Sequence, residues 1–157
     1  MKAMLAMGAA VLAMALAAPA SAAPADDAAK LAVVNEMIAA WKDQNWRKVA
    51  DLFTEDGVLH SMMVEPVKGR EAIYQRIAGL GAGVDAGGVV LDTRNLGVIN
   101  GVVFLERVDR FSYKGHKGDV PVVGVMEFSG GRIKEWREYY DRAQLLSEMG
   151  VKGDFTH

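Results

Sequence analysis

Two side chains of opposite charge, Arg107 and Asp109, lie two residues apart within an otherwise apolar segment, residues 104–111 (FLERVDRF). In a β-strand the side chains alternate between two faces, so these two share one face while Glu106 and Arg110 share the other. The face with Arg107 has more large apolar residues: Leu105, Phe111 and Tyr113. The pattern therefore predicts that Arg107 and Asp109 point into the protein.

A third charged candidate comes from the last predicted strand, residues 132–141 (RIKEWREYYD). One face of this strand contains Trp136, Glu138 and Tyr140. The opposite face is more charged and is predicted to meet solvent; it contains Glu135, Arg137, Tyr139 and Asp141. Glu138 is therefore the only carboxylate predicted on the inner face of this strand.

An arginine and two carboxylates in an apolar interior are costly unless they pair with one another. If Asp109 and Glu138 share one proton beside Arg107, the cluster is neutral, and one carboxyl can donate a proton while the other accepts one. Such an acid and base can act on a substrate in one step. A purely structural ion-pair cluster explains the spacing equally well, so both interpretations stay open at this point.

The elements that must position these residues follow from hydrophobic periodicity. Three helices are predicted in the first half: one through Leu31, Val34, Ile38 and Trp41, one at 46–53, and one at 70–80. Strands are predicted at 58–64, 89–99, 102–113, 120–129 and 132–141, followed by a short helix at 142–150. This order predicts an α+β fold, in which a cone-shaped curved antiparallel or mixed sheet and three N-terminal helices enclose an apolar pocket.

Composition excludes several classes of function. The chain has no cysteine, which rules out thiol catalysis and thiolate metal sites, and its three histidines are widely spaced, so we expect no metal centre. The formal net charge of −2 gives no basic field for nucleic acid. The glycines at 79, 81 and 83 follow a helix instead of a strand and precede no lysine, so they predict a flexible loop, not a phosphate cradle.

The N-terminal 22 residues have the features of a secretory signal. A lysine is followed by an apolar run and then by Ala20-Ser21-Ala22, which has the A-x-A pattern of a cleavage site. We expect an exported protein, periplasmic or secreted, with no membrane attachment after cleavage. The predicted organisation is a signal peptide at 1–22, a flexible leader at 23–29, one domain at 30–150 and a tail at 151–157.

Two segments, ERVD at 106–109 and GRIKEWREYYD at 131–141, resemble the limonene-1,2-epoxide hydrolase group of the nuclear transport factor 2-like (SnoaL-like) superfamily. The similarity runs from about Val33 to about Met149. In that family an arginine bridges two aspartates, of which one protonates the epoxide oxygen and the other deprotonates the attacking water. The resemblance implies that Arg107 is the bridge, Asp109 the acid and Glu138 the base. It also implies a small hydrophobic substrate, a vicinal diol product, no cofactor and a homodimer formed through the sheet.

This sequence departs from the family pattern in two places. The base position holds Glu instead of Asp, and the extra methylene moves the carboxylate by on the order of 1.5 Å relative to a site built for Asp. Leu59 and Ser61 occupy the positions where the family holds its water with Tyr and Asn. We expect Ser61, Leu59, Met63, Trp136 and Tyr140 to line the substrate and water site, and alternation turns His60 away from it.

Two other functions are compatible with these residues. One is an isomerase or dehydratase of the ketosteroid-isomerase-like type, in which Asp109 or Glu138 moves a proton on a steroid-like or polyketide-like ligand. The other is a secreted binding domain without catalytic activity, whose charged cluster only stabilises an apolar pocket. Fold resemblance does not separate these from an epoxide hydrolase.

Overall fold

The computed structural model describes residues 24–152, with their side chains from residue 26 onward. The predicted signal peptide and residues 153–157 of the predicted tail lie outside the described residues. The elements in chain order are α1 Pro24–Lys42, α2 Trp46–Asp51, β1 Phe53–Ser61, β2 Val67–Lys68, α3 Arg70–Gly81, β3 Val84–Ile99, β4 Val102–Tyr113, β5 His116–Ser129, β6 Arg132–Tyr140 and α4 Arg142–Glu148. Within the described residues, no helix is long and apolar enough to cross a membrane.

The six strands form one curved, open sheet in the order β2-β1-β6-β5-β4-β3. Strands β1 and β6 run parallel, and every other neighbouring pair is antiparallel. The predicted α+β class is therefore confirmed, and the sheet is mixed. Strands β4, β5 and β6 are neighbours, which brings the predicted charged residues of β4 and β6 to the middle of one sheet.

Helix α1 begins earlier than expected. Residues 24–29, predicted to be a flexible leader, form its first turns. Asp26 and Asp27 lie in the first turn, where carboxylates interact favourably with the helix dipole, and both contact Lys30, at 2.7 and 3.5 Å. The prediction of a leader was wrong because this alanine-rich segment has high helix propensity even though it lacks large apolar residues.

Other boundaries differ in ways that have local causes. Strand β1 starts at Phe53 instead of residue 58, because residues 53–57 form an irregular part of the strand, with a register shift between Phe53 and Val58. The β4–β5 hairpin is tighter than expected: Lys114 and Gly115 form the turn with φ of 49° and 82°, and His116 already belongs to β5. The two-residue strand β2 was not predicted, since it is too short to show periodicity.

Helices α1, α2 and α3 cover the inner face of the sheet and form the core with it. The side chains that are almost completely buried include Val34, Met37, Val49, Phe53, Ile73, Leu105, Met126, Ile133 and Trp136. Burial of one such side chain contributes roughly 1.5–3 kcal/mol. Helix α4 packs against β5, and its Leu145 and Leu146 lie over the part of the inner face that the first three helices leave uncovered.

Candidate active site

The inner and outer faces of β4 are those that alternation predicts. Arg107 is 2% exposed and Leu105 is fully buried, whereas Phe104, Glu106 and Arg110 are exposed. Arg107 is the only fully buried charged residue in the described part of the chain. The orientation predicted for this strand is therefore confirmed.

The Arg107 guanidinium binds both carboxylates at once. Its Nε and Nη2 donate to the two oxygens of Asp109, at 2.6 and 3.0 Å. Its Nη1 and Nη2 donate to the two oxygens of Glu138, at 3.1 and 2.8 Å. The guanidinium carbon also lies 5.5 Å from the centre of the Trp136 ring. The three predicted residues thus form one cluster. Each carboxylate accepts a bidentate pair of hydrogen bonds from Arg107, which fixes its orientation.

Arg107 and Glu138 lie on strands β4 and β6, which are separated by β5. Along one line across the sheet, Leu105 of β4 pairs with Gly124 of β5, and Gly124 pairs with Glu138 of β6. Arg107 lies two residues further along β4, on the same face, and its side chain reaches Glu138 by crossing β5 near Gly124. A Cβ at Gly124 would lie 3.0 Å from Arg107 Nη1 and 3.1 Å from Glu138 Oε1.

Sequence analysis did not identify Gly124 as part of the site. A glycine inside a strand often marks a place where other groups approach the backbone closely, and this one interrupts an otherwise apolar run, VPVVGVM. The strand glycine is thus visible in the sequence. The sequence does not specify which groups approach it, because these depend on the register of three strands.

The cluster has one positive and two negative charges away from bulk water. The side chains of Glu138 and Asp109 are 12% and 26% exposed. Burial alone would lower the pKa of Arg107, but the adjacent charges of Glu138 and Asp109 outweigh it and raise that pKa. Burial raises the pKa of Glu138, and the charge of Asp109 adds to this rise, although Arg107 opposes it. Glu138 therefore retains a proton at a higher pH than an ordinary glutamate does.

The cluster lies in the wall of a cavity of about 320 Å³. Most of the lining is apolar and comes from the sheet and from helices α1, α3 and α4; it includes Trp41, Leu59, Ile77, Leu91, Val122, Leu145 and Met149. Arg76 and Arg142 also line it, and because both side chains are partly or fully exposed, they mark its mouth. The arrangement offers an apolar compartment with an acid and a base in one wall.

Four of the five predicted lining residues border the cavity, namely Leu59, Ser61, Trp136 and Tyr140. Met63 does not, because β1 ends at Ser61 and the chain turns there, with Val64 N donating to Ser61 O at 2.9 Å. The strand alternation used to place Met63 therefore does not extend to that residue. His60 is absent from the lining, as alternation predicted.

Among the described residues, no three His, Asp or Glu side chains are grouped closely enough to hold a metal ion. The extra methylene of Glu138 does not keep it from Arg107, since both of its oxygens are within hydrogen-bond distance of the guanidinium. Two carboxyl groups beside a fixed positive charge can donate and accept protons.

Three solved structures are similar to this chain in fold. An LEH-like epoxide hydrolase from M. tuberculosis is 19% identical, with a TM-score of 0.68, covering 79% of this chain and 91% of its own. A protein with a ketosteroid isomerase-like fold from Catenulispora acidiphila, in complex with trimethylamine, is 24% identical, with a TM-score of 0.69 and coverages of 80% and 97%. SalBIII, an epoxide hydrolase/cyclase-like enzyme in pyran ring formation in salinomycin, is 13% identical, with a TM-score of 0.64 and coverages of 73% and 92%.

At these identities the structural neighbours establish the fold and leave the activity open. The family is established by the sequence itself. The model of the SnoaL-like domain matches residues 34–136, which is more than half of the chain and includes the second half of helix α1 and strand β6 up to Trp136. The chain therefore belongs to the SnoaL-like domain family, within the nuclear transport factor 2-like fold.

Proposed function

We propose that this protein is a cofactor-independent epoxide hydrolase, which opens a small hydrophobic epoxide to a vicinal diol by direct attack of water. The proposal rests on the hydrogen bonds of the Arg107 guanidinium, whose nitrogen atoms lie 2.6–3.1 Å from the four carboxylate oxygens of Asp109 and Glu138. Stability alone does not account well for the cluster, because replacement of buried ion pairs by apolar residues often leaves the free energy of unfolding unchanged or increases it.

The proposed step needs one proton on the carboxyl pair. Asp109 donates it to the epoxide oxygen as the carbon–oxygen bond breaks, while Glu138 removes a proton from the water that attacks the ring carbon. The reactive form has the proton on Asp109 and an ionised Glu138. Because burial raises the pKa of Glu138, a smaller fraction of this group is ionised at a given pH than of an exposed glutamate, and that fraction is a stronger base. After the step Glu138 holds the proton and Asp109 is ionised, and transfer between the two groups restores the starting state. No ester with the protein forms.

The lining of the cavity supports a small apolar substrate. Among the lining residues of the sheet, polar groups come from Ser61, Tyr113, Tyr140 and the cluster itself, whereas most of the other sheet residues and Leu145 and Leu146 are apolar. Ser61 pairs with Glu138 across β1 and β6 and lines the cavity, so its hydroxyl is a candidate to hold the attacking water beside the base. Leu59, on the same face, adds apolar surface and no hydrogen bond.

The direct test is a set of terpene, styrene and cyclohexene epoxides incubated with the protein in heavy-oxygen water. We expect a diol labelled within a single turnover and a protein without label. Asp109→Asn should lower turnover by roughly 10²–10⁴-fold, the usual contribution of general acid–base catalysis. The matched control is Asp119→Asn on the same sheet, whose carboxylate is 65% exposed and far from the cavity lining.

Two results would contradict the proposal. Tight binding of these compounds without turnover would support a binding domain. Exchange of a substrate carbon-bound proton with solvent, without diol formation, would support an isomerase or dehydratase that uses the same carboxyl groups.

We also propose that the chain forms a homodimer through the outer face of its sheet. Phe104, Val123 and Tyr139 are 37%, 38% and 44% exposed, and the register places Phe104 beside Val125 and Val123 beside Tyr139. These side chains form an apolar patch on adjacent strands, of the kind that marks an interaction surface. In sedimentation experiments Val123→Asp should give a monomer, and Ile99→Asp, at the exposed tip of β3, should remain dimeric. A monomeric wild-type protein would contradict this.

A further inference from the structure

The inner face of β5 has one position without a side chain. Its inward residues Val122 and Met126 are buried and fill space against the core, but Gly124 between them leaves a gap. Three polar atoms occupy this gap: a Cβ at position 124 would lie 2.8 Å from Trp136 Nε1, 3.0 Å from Arg107 Nη1 and 3.1 Å from Glu138 Oε1. Distances this short require the neighbours to move.

The gap is where the cluster crosses the sheet. Arg107 starts on β4 and Glu138 on β6, and two strand spacings separate their backbones by about 10 Å. Their side chains must meet over the strand between them, β5. The pairing partner of Glu138 on that strand is Gly124 itself. Any side chain at this position would therefore stand between the guanidinium and the carboxylate.

The length of the Glu138 side chain increases the space that the cluster needs above Gly124. Glutamate is one methylene longer than aspartate, and its carboxylate extends over the backbone of Gly124 to reach Arg107 Nη1 and Nη2. A shorter acid at position 138 would end closer to its own strand. The space above Gly124 and the length of Glu138 are thus complementary.

We propose that Gly124 is a positioning residue for the acid–base pair, and that it is matched to glutamate at position 138. It touches no substrate, and its effect is to let Arg107 and Glu138 meet in the geometry that sets the charge of Glu138. The part of this proposal that concerns turnover rests on the proposed hydrolase function, whereas the part that concerns the ionisation of Glu138 does not.

The chain contains a matched control. Gly97 on β3 is also a strand glycine without a left-handed backbone, but a Cβ there would meet nothing within 4 Å. Its pairing partner is Phe104, on the outer face. Substitution by alanine at the two positions makes the same chemical change, and only the change at Gly124 introduces an atom into the cluster.

The experiment compares Gly124→Ala with Gly97→Ala. The titration of Glu138 is followed by carboxyl-carbon NMR, with Glu138→Gln identifying its signal. In Gly124→Ala we expect the pKa of Glu138 to rise further, because the opposing charge of Arg107 moves away while the carboxyl stays buried. The turnover number should fall by about 100-fold, the effect expected for displacement by about 1 Å, with little change in KM. In Gly97→Ala neither quantity should change. An unchanged titration in Gly124→Ala would overturn the proposal.

A double-variant cycle with Glu138→Asp tests the match between the two positions. The shorter acid withdraws from position 124, so Gly124→Ala should cost at least tenfold less in the Glu138→Asp background than in the wild-type background. If Gly124→Ala does not fold, rescue of folding by Glu138→Asp supports the proposal. Equal losses in both backgrounds, or failure to fold in both, would contradict it.

The two readouts separate this inference from the proposed function. A wild-type protein that opens no epoxide, but whose Glu138 titration responds to Gly124→Ala and not to Gly97→Ala, would refute the hydrolase and leave the positioning role intact. Formation of labelled diol by a protein whose Glu138 titration is unchanged in Gly124→Ala would support the hydrolase and refute the positioning role.

Discussion

Each face of the sheet contains an arginine bound to two carboxylates. On the inner face Arg107 binds Asp109 and Glu138, and on the outer face Arg137 binds Glu127 and Glu135, at 2.8 and 3.0 Å. Both arrangements have one arginine and two carboxylates, at similar distances. They differ in exposure: the side chain of Arg107 is 2% exposed and that of Arg137 is 21% exposed.

Solvent exposure determines how strongly the charges of each arginine and its two carboxylates affect one another. Around Arg137 both carboxylates are reached by water, which screens their charges, so a surplus negative charge costs little. Around Arg107 the surplus charge lies in a medium of low polarity, and burial raises the pKa of Glu138 so that the group retains a proton more readily. The readiness of Glu138 to hold a proton is thus a consequence of its burial and not of its residue type.

The largest expected effect comes from removing the two arginines in turn. Arg107→Met should lower the free energy of unfolding by about 3–5 kcal/mol at neutral pH, because it leaves two buried carboxylates without a partner. Arg137→Met is the matched control and should lower it by about 0.2–1 kcal/mol, because Glu127 and Glu135 remain solvated. Urea unfolding of both variants measures the difference. Equal losses would mean that the inner cluster is effectively solvated.

The same comparison becomes sharper when the whole inner cluster is replaced. The triple variant Arg107→Met/Asp109→Asn/Glu138→Gln has no buried charge left, so it should regain most of the stability that Arg107→Met loses. It should at the same time have no hydrolytic activity. A triple variant that is as unstable as Arg107→Met would support a structural purpose for the cluster and count against catalysis.

The contents of the inner face could be predicted because they depend on alternation along single strands. Counting apolar partners within β4 and within β6 was enough to select Arg107, Asp109 and Glu138. Met63 was misplaced for the same reason, since the alternation was extended past the end of β1 at Ser61.

What could not be predicted depends on more than one strand. The role of Gly124 requires the registers of β4, β5 and β6 together, and those registers are set by hairpin turns and packing that single-strand patterns do not contain. The early start of α1 was missed because its first turns are stabilised by alanine propensity and by Lys30 contacts with Asp26, not by apolar periodicity.

The next largest effect is on the pH dependence of stability. The native pKa of Glu138 lies above its ordinary value of 4.5, so between these values the native state binds more protons than the unfolded state does. The free energy of unfolding contributed by this group is therefore fully present below pH 4.5 and is lost as pH rises through the native pKa. Glu138→Gln should remove this loss, so that the variant is more stable than the wild type at neutral pH.

The control for this effect is Glu135→Gln on the outer face of the same strand. Its partner is Arg137, and the variant should follow the pH profile of the wild type closely. Thermal unfolding of the three proteins between pH 4 and pH 8 gives the profiles. A Glu138→Gln variant that becomes less stable than the wild type as pH rises would show that Arg107 lowers the pKa of Glu138 more than burial raises it.

The smallest expected effect separates two adjacent residues of β1 that point to opposite sides. Ser61 lines the cavity and pairs with Glu138, whereas His60 pairs with Arg137 and is not part of the lining. If the Ser61 hydroxyl holds the attacking water, Ser61→Ala removes one hydrogen bond to a group that becomes charged in the transition state, worth about 1.5 kcal/mol or roughly tenfold in turnover number. His60→Ala should leave turnover unchanged. A loss in His60→Ala that matches the loss in Ser61→Ala would mean that both substitutions act by disturbing β1, and the water would then have to be held by Glu138 alone.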